Sequence, residues 1–390
     1  MVNSSASDDL AAVMSMELSA EHERIREEAG GVAAGLEAIA AEADESDRFA
    51  PEVRAALKRS GLVRHTVPRE YGGLRDRVDS LAVTVIRESL AEVSSHADSM
   101  FAMQGIGSFA LAKGGSERIK AQWLPRVAVL DAVAALALTE PHVGSDLRAL
   151  STTIRADGED LVVTGHKSFI TNAPDADFFC VLGRDEDGYS MALVPADAPG
   201  VTVTQPHQVI SPHVLGDVVF DDVRVPADHR IGEQGKAFAL VLQTLGTFRV
   251  SVAGAAIGIA KGALREALGY AQQRELFGTT LAKLGGVPAG LARSWVEIEA
   301  ARSLTYRAGA ASTIDPLKNL SLASMAKIVG TETAGIVADR CVQIMGRAGI
   351  VRGSRIERLY RASRPGRIYE GSTEVILDSL AKQLLKNGLS

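Results

Sequence analysis

Phe178-Phe-Cys-Val-Leu-Gly-Arg-Asp-Glu-Asp-Gly-Tyr-Ser-Met-Ala-Leu-Val194 is the stretch that decides the fold. Two short apolar runs, Phe178–Leu182 and Met191–Val194, flank a Gly- and Asp-rich turn, which is the signature of short strands. The pattern recurs at Leu161-Val-Val-Thr164, Val201-Thr-Val-Thr204 and Val218-Val-Phe220, each bounded by Gly, Pro or Asp. The spacing predicts a central β domain, barrel-like, over residues 131–232.

Outward from this core the period changes on both sides. Upstream, segments such as Glu21–Ala43 and Val78–Val93 mix charged and apolar residues at three and four spacing, the helical period. They predict an N-terminal helical domain over residues 16–130, after a flexible tail over 1–15, with Pro68-Arg-Glu-Tyr-Gly-Gly73 as a loop. Downstream of Gly232-Glu-Gln-Gly235 the helical period returns in Ala237–Glu275, Gly290–Ala311 and Leu317–Gly346, rich in Ala and Gly. Small residues let helices approach closely, so residues 233–390 read as a helical bundle. Helices, then strands, then helices make an α+β multi-domain chain rather than alternating β-α-β units.

The 390 residues are 46% hydrophobic and 23% charged, and 42 Lys plus Arg against 48 Asp plus Glu argues against a nucleic-acid partner. The uncharged stretches Phe238–Phe248 and Val250–Ala260 are about half the ~20 apolar residues of a membrane span, so no membrane segment is expected. The N-terminus has neither the basic start nor the apolar run of a secretory signal. Cys180 and Cys341 both lie in apolar runs, as buried free thiols do. These features lead to the expectation of a cytoplasmic protein without disulfides.

A Walker A loop, a G-x-G-x-x-G after a strand, H-E-x-x-H and G-x-S-x-G are all missing from the sequence. The eight histidines show no metal-ligand spacing, so no metal is expected.

Four segments carry possible chemistry, and each also has a plain structural explanation. Leu136-Ala-Leu-Thr-Glu-Pro-His-Val-Gly-Ser-Asp146 runs from a strand into a Gly-Ser turn able to bind an anion, or is simply a turn. Gly165-His-Lys-Ser-Phe-Ile-Thr-Asn-Ala173 offers an aromatic, a hydroxyl and an amide near a strand end, as the edge of a planar ring requires; an exposed hairpin explains it equally. In Tyr270-Ala-Gln-Gln-Arg-Glu-Leu-Phe-Gly-Thr-Thr-Leu281, Arg274 sits near a helix end, placed for a phosphate or for the helix dipole. Gln343-Ile-Met-Gly346 leads to Arg367-Ile-Tyr-Glu-Gly-Ser-Thr-Glu-Val375, where Glu370 precedes a helix that Ser372 can cap.

In this order, the segments resemble the acyl-CoA dehydrogenase family over nearly the whole chain, from Pro68–Gly73 to Glu374. The resemblance implies an N-terminal helical domain, a central β domain and a C-terminal four-helix bundle. It implies FAD as cofactor, with Leu136, Leu138, Thr139 and Ser145 lining the flavin ring and pyrophosphate. Phe169 and Thr171 would cover the ring, Thr171 near the flavin N5. Arg274, Phe277, Gln343 and Gly346 would complete the FAD site of a neighbouring subunit, which implies a homo-oligomer, a tetramer or dimer. Ser372 and Glu374 follow on the cofactor side.

Glu370 falls at the I-Y-E-G position of the family's base, twenty-seven residues after Gln343. Some members place the base instead on the helix near Phe248-Arg249, where this chain has no carboxylate. Glu370 is therefore read as the catalytic base for the α-proton of an acyl thioester, in an apolar site that raises its pKa. Arg249, Tyr369 and Gly371 are read as substrate-binding, with Arg249 shaping the cavity. The implied product is a trans-2-enoyl thioester, and the implied electron acceptor an electron-transferring flavoprotein.

The chain departs from the family pattern at Val143, Phe169, Gly285, Arg347 and Ala362, and at Pro212-His-Val-Leu-Gly216 near the CoA entrance of relatives. The thioester carrier is accordingly read as CoA or an acyl carrier protein. Alternatives are a flavin-dependent oxidase or monooxygenase, an oxidiser of α-substituted acyl carriers, and a flavin-free scaffold.

Overall fold

The computed structural model describes residues 18–388. The tail expected over 1–15 lies outside the described residues. Helices α1 (Ala20–Ala43), α2 (Pro51–Ser60), α3 (Ser80–Ala91), α4 (Ser95–Gly114) and α5 (Glu117–Ala128) come first. Strands follow: β1 (Ala134–Ala137), β2 (Thr153–Asp157), β3 (Asp160–Thr171), β4 (Phe178–Asp185), β5 (Gly188–Pro195), β6 (Val201–Thr204), β7 (Leu215–Pro226) and β8 (Arg230–Ile231). Then come α6 (Ala237–Gln273), a ribbon of β9 (Glu275–Leu276) and β10 (Thr279–Thr280), α7 (Val287–Ile314), α8 (Leu320–Met345), α9 (Arg355–Ser363) and α10 (Thr373–Asn387). The helix, strand, helix order is the one the periodicities predict.

The chain divides into two compact units. One joins Glu45–Asp79 with Ser99–Phe248 and contains the sheet; the other joins the segment ending at Asp44 with Ser80–Asp98 and everything from Arg249 onward.

In the sheet unit the strand order is β6-β7-β3-β2-β4-β5-β8, with β1 pairing β4 in parallel. Strand β4 explains why its sequence is continuously apolar. Phe178, Cys180 and Leu182 join a core with Leu111, Ile119, Trp123 and Leu124, while Phe179 and Val181 join a second core with Ile154, Val163 and Phe220. A strand buried on both faces needs no polar alternation.

The helical unit is held by small residues at fixed spacing on α6. A Cβ on Gly254 would lie 2.4 Å from the carbonyl oxygen of Thr84, and one on Gly258 2.2 Å from that of Glu88. Only glycine lets α3 come this close. Helix α6 also revises the membrane reading, because the two apolar stretches flanking Arg249 form one 37-residue helix, long and apolar enough by itself to cross a bilayer. Its most apolar window is 78% buried within the protein, as a core helix is. Cys180 and Cys341 are buried free thiols.

Candidate active site

Glu370 lies in the link between the turn Pro365–Arg367 and α10, both within the helical unit. Ser372 caps α10, its hydroxyl accepting from the Val375 N–H at 3.4 Å. Between turn and cap the backbone goes left-handed, with φ of 52° at Glu370 and 99° at Gly371. A left-handed glutamate is sterically strained, and such strain persists only where the surroundings enforce it. Six described non-glycine residues have positive φ, and three of them, Phe169, Phe277 and Glu370, are residues singled out from the sequence.

Three cations from three helices surround this turn. Arg249 on α6 donates from Nε to the backbone oxygen of Glu370 at 2.9 Å and from Nη1 to Ser324 Oγ at 3.0 Å. Lys327 on α8 donates from Nζ to the backbone oxygen of Gly371 at 2.6 Å. Arg87 on α3 grips Asp98 in a fork of two 2.8 Å bonds and reaches Ser251 Oγ at 3.0 Å. The Glu370 carboxyl itself receives none of these donors, and its Oε2 is buried without a hydrogen-bond partner among the described residues. Burial raises its pKa above the usual carboxylate range, while Arg87, Arg249 and Lys327 pull it back and Asp98 adds to the rise. The direction matches the sequence expectation, with burial as its largest cause; the charges of Arg87, Lys327 and Asp98 that also act on the carboxyl were not foreseen from the sequence. Tyr369 is exposed beside it. Arg249, expected to shape a substrate cavity, spends two donors on the backbone of Glu370 and on Ser324.

In the sheet unit, Leu136 on β1 and Leu138 and Thr139 beyond it are half-buried. Their segment is fastened to β3: Thr139 accepts from Ser168 N at 2.9 Å, and the Leu138 oxygen accepts from Lys167 Nζ at 2.9 Å. This brings Leu136, Leu138 and Thr139 alongside Phe169 and Thr171. Phe169 is 50% exposed and stacks on His207, ring centroids 4.0 Å apart and 12° between planes. Ser145 is exposed in the turn after Glu140.

The remaining predicted residues lie elsewhere in the helical unit. Arg274 follows the last turn of α6, and Phe277, 95% exposed, tips the ribbon. Gln343 and Gly346 end α8, both exposed, and Glu374 is exposed in the first turn of α10. No hydrogen bond or ion pair ties any of these to Glu370 among the described residues. Nor do the described residues place three or more His, Cys, Asp or Glu to hold a metal ion.

Residues 19–131 match the N-terminal domain of acyl-CoA dehydrogenases, residues 135–223 the middle domain and residues 235–385 the C-terminal domain. The chain belongs to the acyl-CoA dehydrogenase family. It is 34% identical over 383 residues to the mitochondrial short-chain specific acyl-CoA dehydrogenase of Bos taurus, covering 96% of this chain and 92% of that one. The butyryl-CoA dehydrogenase structure from Megasphaera elsdenii superposes with a TM-score of 0.89 at 28% identity, over 95% and 99% of the two chains. An acyl-CoA dehydrogenase complexed with FAD from Bacillus anthracis gives 0.87 at 27% identity, over 96% and 68%.

Several residues of this acyl-CoA dehydrogenase escaped the sequence reading. Lys327 is one, although it shares a helical face with Ala323, Gly330 and Ala334, all buried, so its phase marked it as an inward-facing lysine. Asp98 and Arg87 are another pair, joined across two helices. Lys167 on β3 and Glu140 in the turn after β1 form a buried ion pair at 3.0 Å, and Asp217 on β7 accepts from Ser168 Oγ at 2.7 Å and Phe169 N at 3.2 Å. His207 and His166 also face Asp217, each through Nε2, at 3.0 and 3.1 Å. His213 Nε2 lies 3.2 Å from Thr171 Oγ1. The three histidines, scattered in sequence, thus gather around the strand carrying Phe169 and Thr171.

Proposed function

We propose that this enzyme oxidises an acyl-CoA thioester to its 2-enoyl thioester, with Glu370 taking the α-proton. The observation that carries the proposal is the Glu370 carboxyl, buried at Oε2 and unbonded, while every neighbouring cation bonds something else. A carboxylate locked in an ion pair is a poor base; one desolvated and unpaired, with its pKa raised, is a better one.

The sheet unit fits FAD as its cofactor. Leu136 and Leu138 offer apolar contact, the half-exposed Phe169 ring an aromatic face, and Thr139 and Thr171 hydroxyls at the edge, which suits a planar ring with an apolar body and polar rim. Those five residues would hold the ring, and Ser145 the pyrophosphate. When bound, FAD supplies the acceptor for the hydride that leaves the β-carbon. The chain's own residues do the rest: Glu370 holds the α-proton, and the positive charges of Arg87, Arg249 and Lys327 favour the negative charge that builds up on the thioester as that proton leaves. We infer an electron-transferring flavoprotein as the partner that reoxidises the enzyme.

Anaerobic titration with a panel of acyl-CoA substrates, and with the same acyl groups on an acyl carrier protein, tests the reading. Loss of oxidised-flavin absorbance is expected with the CoA series. Bleaching by carrier-protein substrates alone would move the carrier, and no bleaching by any member would remove the reaction.

A homo-oligomer is part of the same reading. Phe277, Trp295, Val296, Ile350 and Leu385 in the helical unit are large apolar side chains exposed in the single chain, surface that a second copy could cover. Arg274, Phe277, Gln343 and Gly346 would then serve the cofactor of a second copy. Light scattering is expected to give a mass at least twice the 41.1 kDa of one chain; a monomer at micromolar concentration contradicts it.

A further inference from the structure

Lys327 sits in the N-terminal third of α8 with 0% of its surface exposed. A buried ammonium is costly unless paired, and among the described residues no carboxylate bonds it. Its Nζ bonds the carbonyl oxygen of Gly371 instead. Glu370, Glu332 and Glu374 act on it from longer range, as does Arg249 with the opposite sign. Burial pulls its pKa down to about 8. An apolar side chain would fill this position at lower cost, so the charge serves something local.

What it serves is visible in the backbone. Glu370 and Gly371 are consecutive left-handed residues, a conformation that costs a non-glycine residue roughly 1–2 kcal/mol. Their two carbonyl oxygens are held from opposite helices, that of Glu370 by Arg249 and that of Gly371 by Lys327. The φ of 99° at Gly371 favours glycine, and a Cβ there would lie 3.2 Å from Arg249 Nη2, close enough that the guanidinium would have to shift slightly. Among the described residues no hydrogen bond holds the carboxyl, so the backbone turn sets the direction in which it leaves the chain.

We propose that Lys327 is a positioning residue for the base: by bonding the carbonyl oxygen of Gly371 it holds the left-handed turn that aims the Glu370 carboxyl. The proposal rests on the reading of Glu370 as the base. The charge has a second effect, since Lys327, with Arg87 and Arg249 and against Asp98, lowers the proton affinity of Glu370. Removing it should leave Glu370 protonated to higher pH.

The test uses the FAD-loaded enzyme and the variants Lys327→Met, Lys327→Gln and Glu370→Gln. Lys327→Met is expected to bleach about 10- to 100-fold more slowly at saturating substrate, the scale of a base misplaced by about 1 Å, with KM little changed. Its acid limb should move to higher pH. The infrared C=O band of the protonated carboxyl, assigned by its absence in Glu370→Gln, should likewise persist to higher pH. Lys327→Gln, still able to donate to Gly371, should regain part of the rate but not the band position. Where Lys327→Met does not fold, Lys327→Gln carries the test through that band. A wild-type rate, acid limb and band position in the Lys327 variants, whatever the melting temperature, would overturn the proposal. Wild-type bleaching by Glu370→Gln would instead remove the base reading beneath it.

Discussion

Glu370→Gln is expected to slow substrate-dependent flavin bleaching by about 10²- to 10⁴-fold, the share that a positioned general base supplies, while flavin and ligand still bind. The geometry makes the substitution clean. Arg249 and Lys327 bond the backbone oxygens of Glu370 and Gly371, so a glutamine leaves both contacts and the left-handed turn in place. Only the proton acceptor goes. The pH dependence has a definite sign. Because burial raises the pKa of Glu370, activity rests on the ionised form and should rise with pH through a midpoint above the usual carboxylate range. Stability runs the other way: a carboxyl that holds its proton more tightly when folded loses folding free energy as pH climbs from its unfolded pKa to its folded one. At pH values above its folded pKa that loss is complete, so there Glu370→Gln should melt at or above the wild-type temperature. A variant that bleaches at the wild-type rate, or one that is inactive because it has unfolded, would contradict this account.

The architecture was legible because periodicity reports it directly. Alternating helical and strand periods placed the strands near Phe178 and Met191, and the Ala and Gly spacing of α6 showed how closely its neighbours pack. The turn residues of the four segments were legible too, including the Ser372 cap. What the sequence did not reveal was which distant residues meet. Arg87 finds Ser251 across 164 positions and Lys261 finds Glu88 across 173, and no local pattern encodes such distances. Lys167 was hidden for a different reason. Irregularities in the β3–β7 register between Val163 and Gly165 and between Lys167 and Ile170 break the alternation that would have shown which face it takes. The charges around Glu370 were not legible because a glutamate beside a turn says nothing of cations supplied by three other helices.

Breaking the Lys167–Glu140 pair should cost about 3–5 kcal/mol of folding stability, the usual penalty for leaving one partner of a buried ion pair behind. The two partners should not cost the same. Glu140 accepts from Ser151 N, Ser151 Oγ and Thr152 N as well as from Lys167 Nζ, at 2.7–3.0 Å. Burial pushes its carboxyl up, but the bonds from Thr152 and Ser151 outweigh this and hold its pKa at about 2. Among the described residues Lys167 Nζ has only Leu138 O besides Glu140. In Lys167→Met the carboxylate keeps three donors, whereas in Glu140→Ala the buried ammonium is left with one carbonyl. Glu140→Ala should therefore fall at the high end of the range and Lys167→Met at the low end, measured by denaturant midpoints at constant slope. The wild-type contribution from Glu140 is fully present above its unfolded pKa and lost as pH falls towards about 2, so the gap between wild type and Glu140→Ala should narrow in acid. Because Lys167 also fastens Leu138, Lys167→Met should loosen the strip of Leu136, Leu138 and Thr139 and weaken flavin retention on dilution. Equal losses in the two variants, or less than about 1 kcal/mol in either, would mean that the pair is not what holds this strip to β3.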